Sequence, residues 1–135
     1  MGAEEARIFA REGAKVIIGD ISEEDGKAVE AQISEAGGQA LFVWLDVTEE
    51  SDWTNAVDQA VSRYGKLDVL VNNAGISSRA FTDDTGIDAW DRIMEVNSKG
   101  VFLGTRAAVP KMLEAGGGSI INISSIMGLV GSAGG

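Results

Sequence analysis

Asp20, Asp46, Asn73, Asn97 and Ser125 are the residues of this 135-residue chain whose types and spacing can do chemistry. All but Asn97 stand just past a short apolar run that reads as a strand: Val16-Ile17-Ile18, Ala40 to Leu45, Val69-Leu70-Val71 and Ser119 to Ile123. Asp20 lies eighteen residues after Gly2. A nucleotide-binding unit keeps an acidic side chain about 20 residues beyond its Gly-rich turn, where it accepts hydrogen bonds from ribose hydroxyls. A carboxylate there repels a 2′-phosphate, and the next residue, Ile21, is no cation to welcome one. The pair favours NAD over NADP. The plainer reading of Asp20 is a solvated turn acid or helix cap. Asp46 can accept from an adenine amino group, and the Val47 N–H can donate to the ring. The same Asp can simply cap the turn before Thr48.

The run Leu67-Asp68-Val69-Leu70-Val71 reads as a strand buried on both faces, and it stops in Asn72-Asn73-Ala74-Gly75. Asn closes a strand end by bonding neighbouring backbone. Ala and Gly leave room for close approach to the backbone. Ligands of open α/β sheets sit outside such carboxyl ends. Asn97 falls on an apolar stripe with Trp90, Ile93, Met94 and Val101, where a buried amide must be hydrogen-bonded. It is either a structural amide at a helix break or a polar group delivered to an active site. Ser124-Ser125 offers a hydroxyl that donates to a carbonyl or accepts from an alcohol, or is merely a polar strand end. A magnesium site from Asp20, Asp46 and Asp68 is disfavoured, since Asp68 begins its strand.

Helices must position these residues. Residues 1–12 form a helix with acids in the first turn and Arg11 in the last, closed by Gly13. Residues 23–36 form a second, with Ala28, Val29 and Ile33 on one face. Trp53, Ala56, Val57, Ala60, Val61 and Tyr64 recur at the spacing of a third, which Thr48 can cap. Residues 76–86 read as loop, and 87–115 as a long helical stretch broken near Gly100 or Gly104 and kinked at Pro110. Alternating helices and apolar strands give one α/β domain over residues 1–135, a parallel sheet covered by helices.

Composition excludes several function classes. Hydrophobic residues make up 44% of the chain, enough for a core. The sequence has no Cys and no His, which removes disulfides, thiolate metal sites and a Ser-His nucleophile; no metal site is expected. A net charge of −10 argues against nucleic acid. No apolar run reaches the roughly 20 residues of a membrane span, and no signal segment opens the chain, so a cytoplasmic protein is expected.

Together, Ile18-Gly19-Asp20, Asp46-Val47, Asn72-Asn73-Ala74-Gly75, Val96-Asn97 and Ile123-Ser124-Ser125 resemble the short-chain dehydrogenase/reductase family over essentially the whole chain. The segments Val101 to Arg106 and Ser124 to Leu129 look most like bacterial members acting on cyclic secondary alcohols, including steroids. The resemblance implies a Rossmann-type doubly wound parallel sheet and hydride transfer between NAD and a small alcohol or ketone. It also implies a dimer or tetramer built partly through the long helices. Asp20 would hold the adenosine ribose, with Gly2 and Ile21 beside it. Asp46 and Val47 would hold the adenine, and Asn73, Ala74 and Gly75 would line the cofactor cleft. Ser125 would polarise the substrate oxygen, and Asn97 would hold a water in a proton relay. In the family a tyrosine, with a lysine four residues on, transfers the proton.

Two departures shape the expectation. Of the family's Thr-Gly-x-x-x-Gly-x-Gly turn only Gly2 remains, and the family tyrosine falls just past Gly135, a role that Tyr64 does not fit. The chain therefore reads as an internal fragment, truncated at its first strand and its C-terminal part. In the order 3-2-1-4-5-6 the first strand lies between the strands ending at Asp20 and Asn72, so its loss leaves a gap of about 10 Å and two unpaired edges. Poor folding and no activity are expected of the isolated chain. The competing reading is a non-catalytic NAD-binding or interaction module, against which Ser125 and Asn97 weigh. A flavodoxin-like or receiver domain gives no reason for Asn-Asn-Ala-Gly after a strand.

Overall fold

The computed structural model describes residues 1–77 and 86–130. Most of the expected loop, including Ser78 and Asp83-Asp84, and the Gly-rich residues 131–135 lie outside them. The elements are α1 (Gly2–Arg11), β1 (Lys15–Asp20), α2 (Glu23–Glu35), β2 (Gln39–Trp44), α3 (Glu50–Tyr64), β3 (Val69–Asn72), α4 (Ile87–Met94), α5 (Gly100–Glu114) and β4 (Ser119–Asn122). A π-helical turn, Glu95–Lys99, joins α4 to α5, and a 3-10 turn, Ile126–Gly128, follows β4.

Local chemistry accounts for the boundaries. Gly13 and Gly65 take φ of 92° and 89°, left-handed conformations that let the chain leave α1 and α3. The Ser22 hydroxyl accepts from the Asp25 N–H at 3.3 Å and caps α2. On α3, Trp53, Ala56, Val57 and Ala60 are buried, as their spacing requires.

Two local expectations are corrected, and the expected helix break is located. Thr48 does not cap α3: Glu49 holds that position without a side-chain bond. The Thr48 hydroxyl instead donates to Asp46 Oδ1 at 2.8 Å. Ala28 faces solvent, and Gly26 takes the buried place beside Val29 and Ile33 because the Phe42 ring closes on it. The long helix breaks at the π turn, just before Gly100, and α5 runs through Pro110 to Glu114.

The strands pair in parallel, β1 with β2 from Lys15↔Gln39 to Asp20↔Trp44, and β3 with β4 from Val69↔Ser119 to Asn72↔Asn122. These are two separate two-stranded sheets, so β1 and β3 are not bonded to each other. One core nonetheless lies beneath both. Val43 and Leu45 of the β2 region, Trp53 and Ala56 of α3, Leu70 of β3, and Leu103, Ala108 and Met112 of α5 form a single buried cluster. Ile17 of β1 and Ile120 of β4 pack against it. On the opposite face of β1–β2, Ala10 of α1 and Val29 and Ile33 of α2 form a second cluster with Val16, Ile18 and Ala40. β3 is buried on one face only, contrary to the expectation from its apolar run: Leu70 is 9% exposed and Val69 38%. The parallel α/β arrangement is that of a truncated Rossmann-type fold.

Candidate active site

Both strand pairs present their carboxyl ends to one edge. The start of α1 meets the tip of β3, where a Cβ on Gly2 would stand 2.7 Å from Asn73 Nδ2. The start of α5 meets the turn after β2, where a Cβ on Gly100 would stand 2.9 Å from Val47 Cγ2. The other end of α5 lies at the base: Met112 touches Gly118, beside the Asp68 carbonyl where β3 begins. Along the upper edge therefore run Asp20-Ile21 after β1, Asp46-Val47 after β2, Asn73-Ala74-Gly75 after β3 and Ser124-Ser125 after β4.

At the first tip, Asp20 is exposed and its Oδ1 accepts from the Ser22 N–H at 2.9 Å. That bond fixes the carboxylate in an Asx turn and leaves the second oxygen with no partner among the described residues. At the second tip, Asp46 Oδ1 accepts from both the Thr48 N–H, at 2.9 Å, and its hydroxyl. These two bonds, backbone first, hold the Asp46 pKa below its ordinary value against a smaller opposing effect of burial. Arg92 and Lys99 add weak attraction. The Asp46 N–H donates to Asp52 Oδ2 at 3.1 Å, and the Trp53 indole N–H donates to the Val47 carbonyl at 3.0 Å. The turn is thus tied to α3 at two points. Asp68 lies at the far end of β3, 2.8 Å from Lys66 Nζ, away from Asp20 and Asp46.

The third tip is polar inside. Asn72 is 4% exposed, and its Nδ2 donates to Asn122 Oδ1 at 2.9 Å and, more weakly, to Thr105 Oγ1 at 3.5 Å. Asn72 Oδ1 and Asn73 Oδ1 are both buried with no partner among the described residues. A buried acceptor without a donor is costly unless something else supplies one.

Asn97 does not lie on a buried stripe. It is exposed, as are Trp90 at 57% and Met94 at 41%, because no element among the described residues covers that face of α4. Its amide instead clamps the loop after β3: Oδ1 accepts from the Ile76 N–H at 2.9 Å, and Nδ2 donates to the Ile76 carbonyl at 2.8 Å. The π turn widens the helix where this amide leaves it. Ser125 is exposed at the fourth tip, and its Oγ accepts from the Met127 N–H at 3.2 Å. Its hydroxyl hydrogen stays available to a ligand. Asn122, exposed, and Thr105, half-buried, were not singled out in the sequence; their place beside Asn72 depends on the pairing of β3 with β4.

Parallel strand pairs alternating with helices, with polar residues just past the strand ends on one edge, place the chain in the doubly wound α/β class. The chain matches the short chain dehydrogenase profile over residues 1–135 and belongs to that family. It is 54% identical over 132 residues to the 3-alpha-(or 20-beta)-hydroxysteroid dehydrogenase of Mycobacterium tuberculosis, covering 98% of this chain and 50% of that protein. It is 52% identical over 137 residues to the trans-4-hydroxycyclohexanecarboxylate dehydrogenase of Sinomonas cyclohexanicum, covering 97% and 52%. The cyclopentanol dehydrogenase of Comamonas testosteroni is 48% identical over 134 residues, covering 99% and 54%. The chain spans about half the length of the curated relatives it matches. No helix among the described residues is long and apolar enough to cross a membrane.

Proposed function

We infer that this chain carries the nucleotide-binding half of an oxidoreductase that moves hydride between NAD and a secondary alcohol or ketone. One observation carries the reading: Asp20, Asp46, Asn73 and Ser125 stand at the tips of four strands on a single edge. The residues fit a dinucleotide. Gly2 touches Asn73 so closely that a side chain would fill the space, and Asn73 Oδ1 is a buried acceptor awaiting a donor.

Bound there, NAD supplies the hydride chemistry. The chain's own residues bind and orient. The second oxygen of Asp20 accepts from the adenosine ribose hydroxyls and repels a 2′-phosphate, with Ile21 beside it offering no cation. Asp46 stays ionised as an acceptor for the adenine amino group, and the Val47 N–H donates to the ring. Gly2, Ala74 and Gly75 leave the backbone open to close approach. Ser125 donates its hydroxyl hydrogen to the substrate oxygen. Asn97 fixes the loop at Ile76, and its remaining N–H and lone pair can hold a water. The named activities of the relatives point to cyclic secondary alcohols as substrates. A dimer or tetramer formed partly through the exposed face of α4 and α5, and a cytoplasmic location, belong to the same reading.

Calorimetric titration of the purified chain, shown to be folded by near-UV circular dichroism, tests it. NAD is expected to bind, NADP to bind more weakly, and Asp20→Asn to narrow that difference. A folded chain that binds neither nucleotide overturns the reading. Turnover of an alcohol by this chain alone would overturn the expectation that it is inactive by itself.

A further inference from the structure

Trp44 ends β2, and its Cα partner across the pair is Asp20. Directly paired residues of neighbouring strands, about 4.8 Å apart, point to the same face. One pleat lower on that face stand Ile18 and Phe42, paired in the same register, with the Phe42 ring closed under Gly26 of α2. Asp20 and Trp44 rise past that cover to the edge. Trp44 is 50% exposed, and Asp20 is exposed beside it. The other tryptophans are placed differently. Trp53 is buried with its N–H on Val47, and Trp90 lies on the open face of α4.

A half-exposed tryptophan next to a carboxylate is chemically specific. The carboxylate accepts from sugar hydroxyls, and the flat ring takes the face of a base or sugar at low entropic cost. Both reject a phosphate ester in the space they share, one by charge and one by its apolar surface. We propose that Trp44 is a further recognition residue, packing against the adenosine that Asp20 holds. The proposal rests on the nucleotide reading above and extends it to a residue outside the tip motifs.

The test is calorimetric titration of the 135-residue chain with AMP, and with nicotinamide mononucleotide as the half lacking adenosine. Trp44→Ala is expected to weaken AMP about tenfold, in the range of base–aromatic stacking, and to leave nicotinamide mononucleotide unchanged. Trp44→Phe should recover most of the loss. AMP should also quench indole emission in the parent, and that quench should vanish in Trp44→Phe, which serves where Trp44→Ala fails to fold. Undiminished AMP affinity in Trp44→Ala, or a quench that survives in Trp44→Phe, overturns the proposal. If Asp20→Asn then still loses AMP, the nucleotide reading stands without Trp44. A folded parent that binds neither AMP nor NAD removes both.

Discussion

β1–β2 and β3–β4 are both short parallel pairs standing on the same core, yet their registers are held by different forces. β1–β2 is covered on both faces, by α1 and α2 on one side and α3 on the other, and its interior is apolar. A one-residue slip would turn Val16, Ile18 and Ala40 away from α2, so packing alone fixes it. β3–β4 leaves Val69 and Ile121 each 38% exposed. There a polar contact, the buried Asn72 on the exposed Asn122 with Thr105 nearby, sits where cover is thin. Hydrogen bonds are directional, and a buried amide that fits one register penalises every other. The pair with less apolar cover is thus specified by polar chemistry, close to the tip where Asn73 and Ser125 stand.

The strongest way to break this comparison is to remove what the halves share. Trp53 is 6% exposed, lies in the common cluster and ties α3 to Val47. Trp53→Ala should cost about 3–5 kcal/mol in urea unfolding and lower amide protection in both pairs. A loss confined to one pair would show that they are separate cooperative units.

Next is Gly104→Ala. The added Cβ would stand 2.7 Å from both Asn72 Oδ1 and the Trp53 ring. We expect a cost of about 1–3 kcal/mol and faster exchange in β3–β4 before β1–β2. Unchanged stability would mean that the buried amide can shift freely.

Asn122→Ala sharpens the point. It strips Asn72 Nδ2 of its 2.9 Å acceptor and should cost about 1 kcal/mol, with accelerated exchange at Leu70 to Asn72 and none at Val16 to Ile18. Equal acceleration in both pairs would contradict a local role.

The smallest effect is acid dependence at the second tip. The Asp46 pKa is lowered in the folded chain, so its contribution is fully present above the unfolded value of about 3.9. It is lost as pH falls through the lower folded value. Thr48→Val removes the hydroxyl bond and keeps the N–H bond, so it should remove under about 1 kcal/mol at neutral pH and flatten the acid limb. An acid limb as steep as that of the parent would assign the shift elsewhere.

The strand ends were legible in the sequence because each combines two local signals, a short apolar run and a polar residue just past it. The α3 face was legible from the spacing of Trp53, Ala56, Val57 and Ala60. Separation of the two sheets followed from strand order, and it is what the structure has. Burial was harder to read. Periodicity reports that α4 has an apolar face and says nothing of whether another element covers it, which is why Asn97 was expected to be buried. Thr48 failed for a related reason: whether its hydroxyl accepts from the first N–H groups of α3 or donates back to Asp46 is decided by the fold. Asn122 and Trp44 gain meaning from their cross-strand partners, and register is not a local property.

The wide turn at Glu95–Lys99 amounts to one residue more than a regular helix would hold between Ile87 and Glu114. Deleting a residue there would restore a uniform ladder, and the backbone bonds would improve. It would also swing everything before it by about 100° around the axis. Asn97 would then point away from Ile76, and the stretch Gly75–Ile76 would lose its anchor on the helix. Local regularity and a correctly aimed amide are mutually exclusive in this stretch, and the irregular winding is what the aim requires.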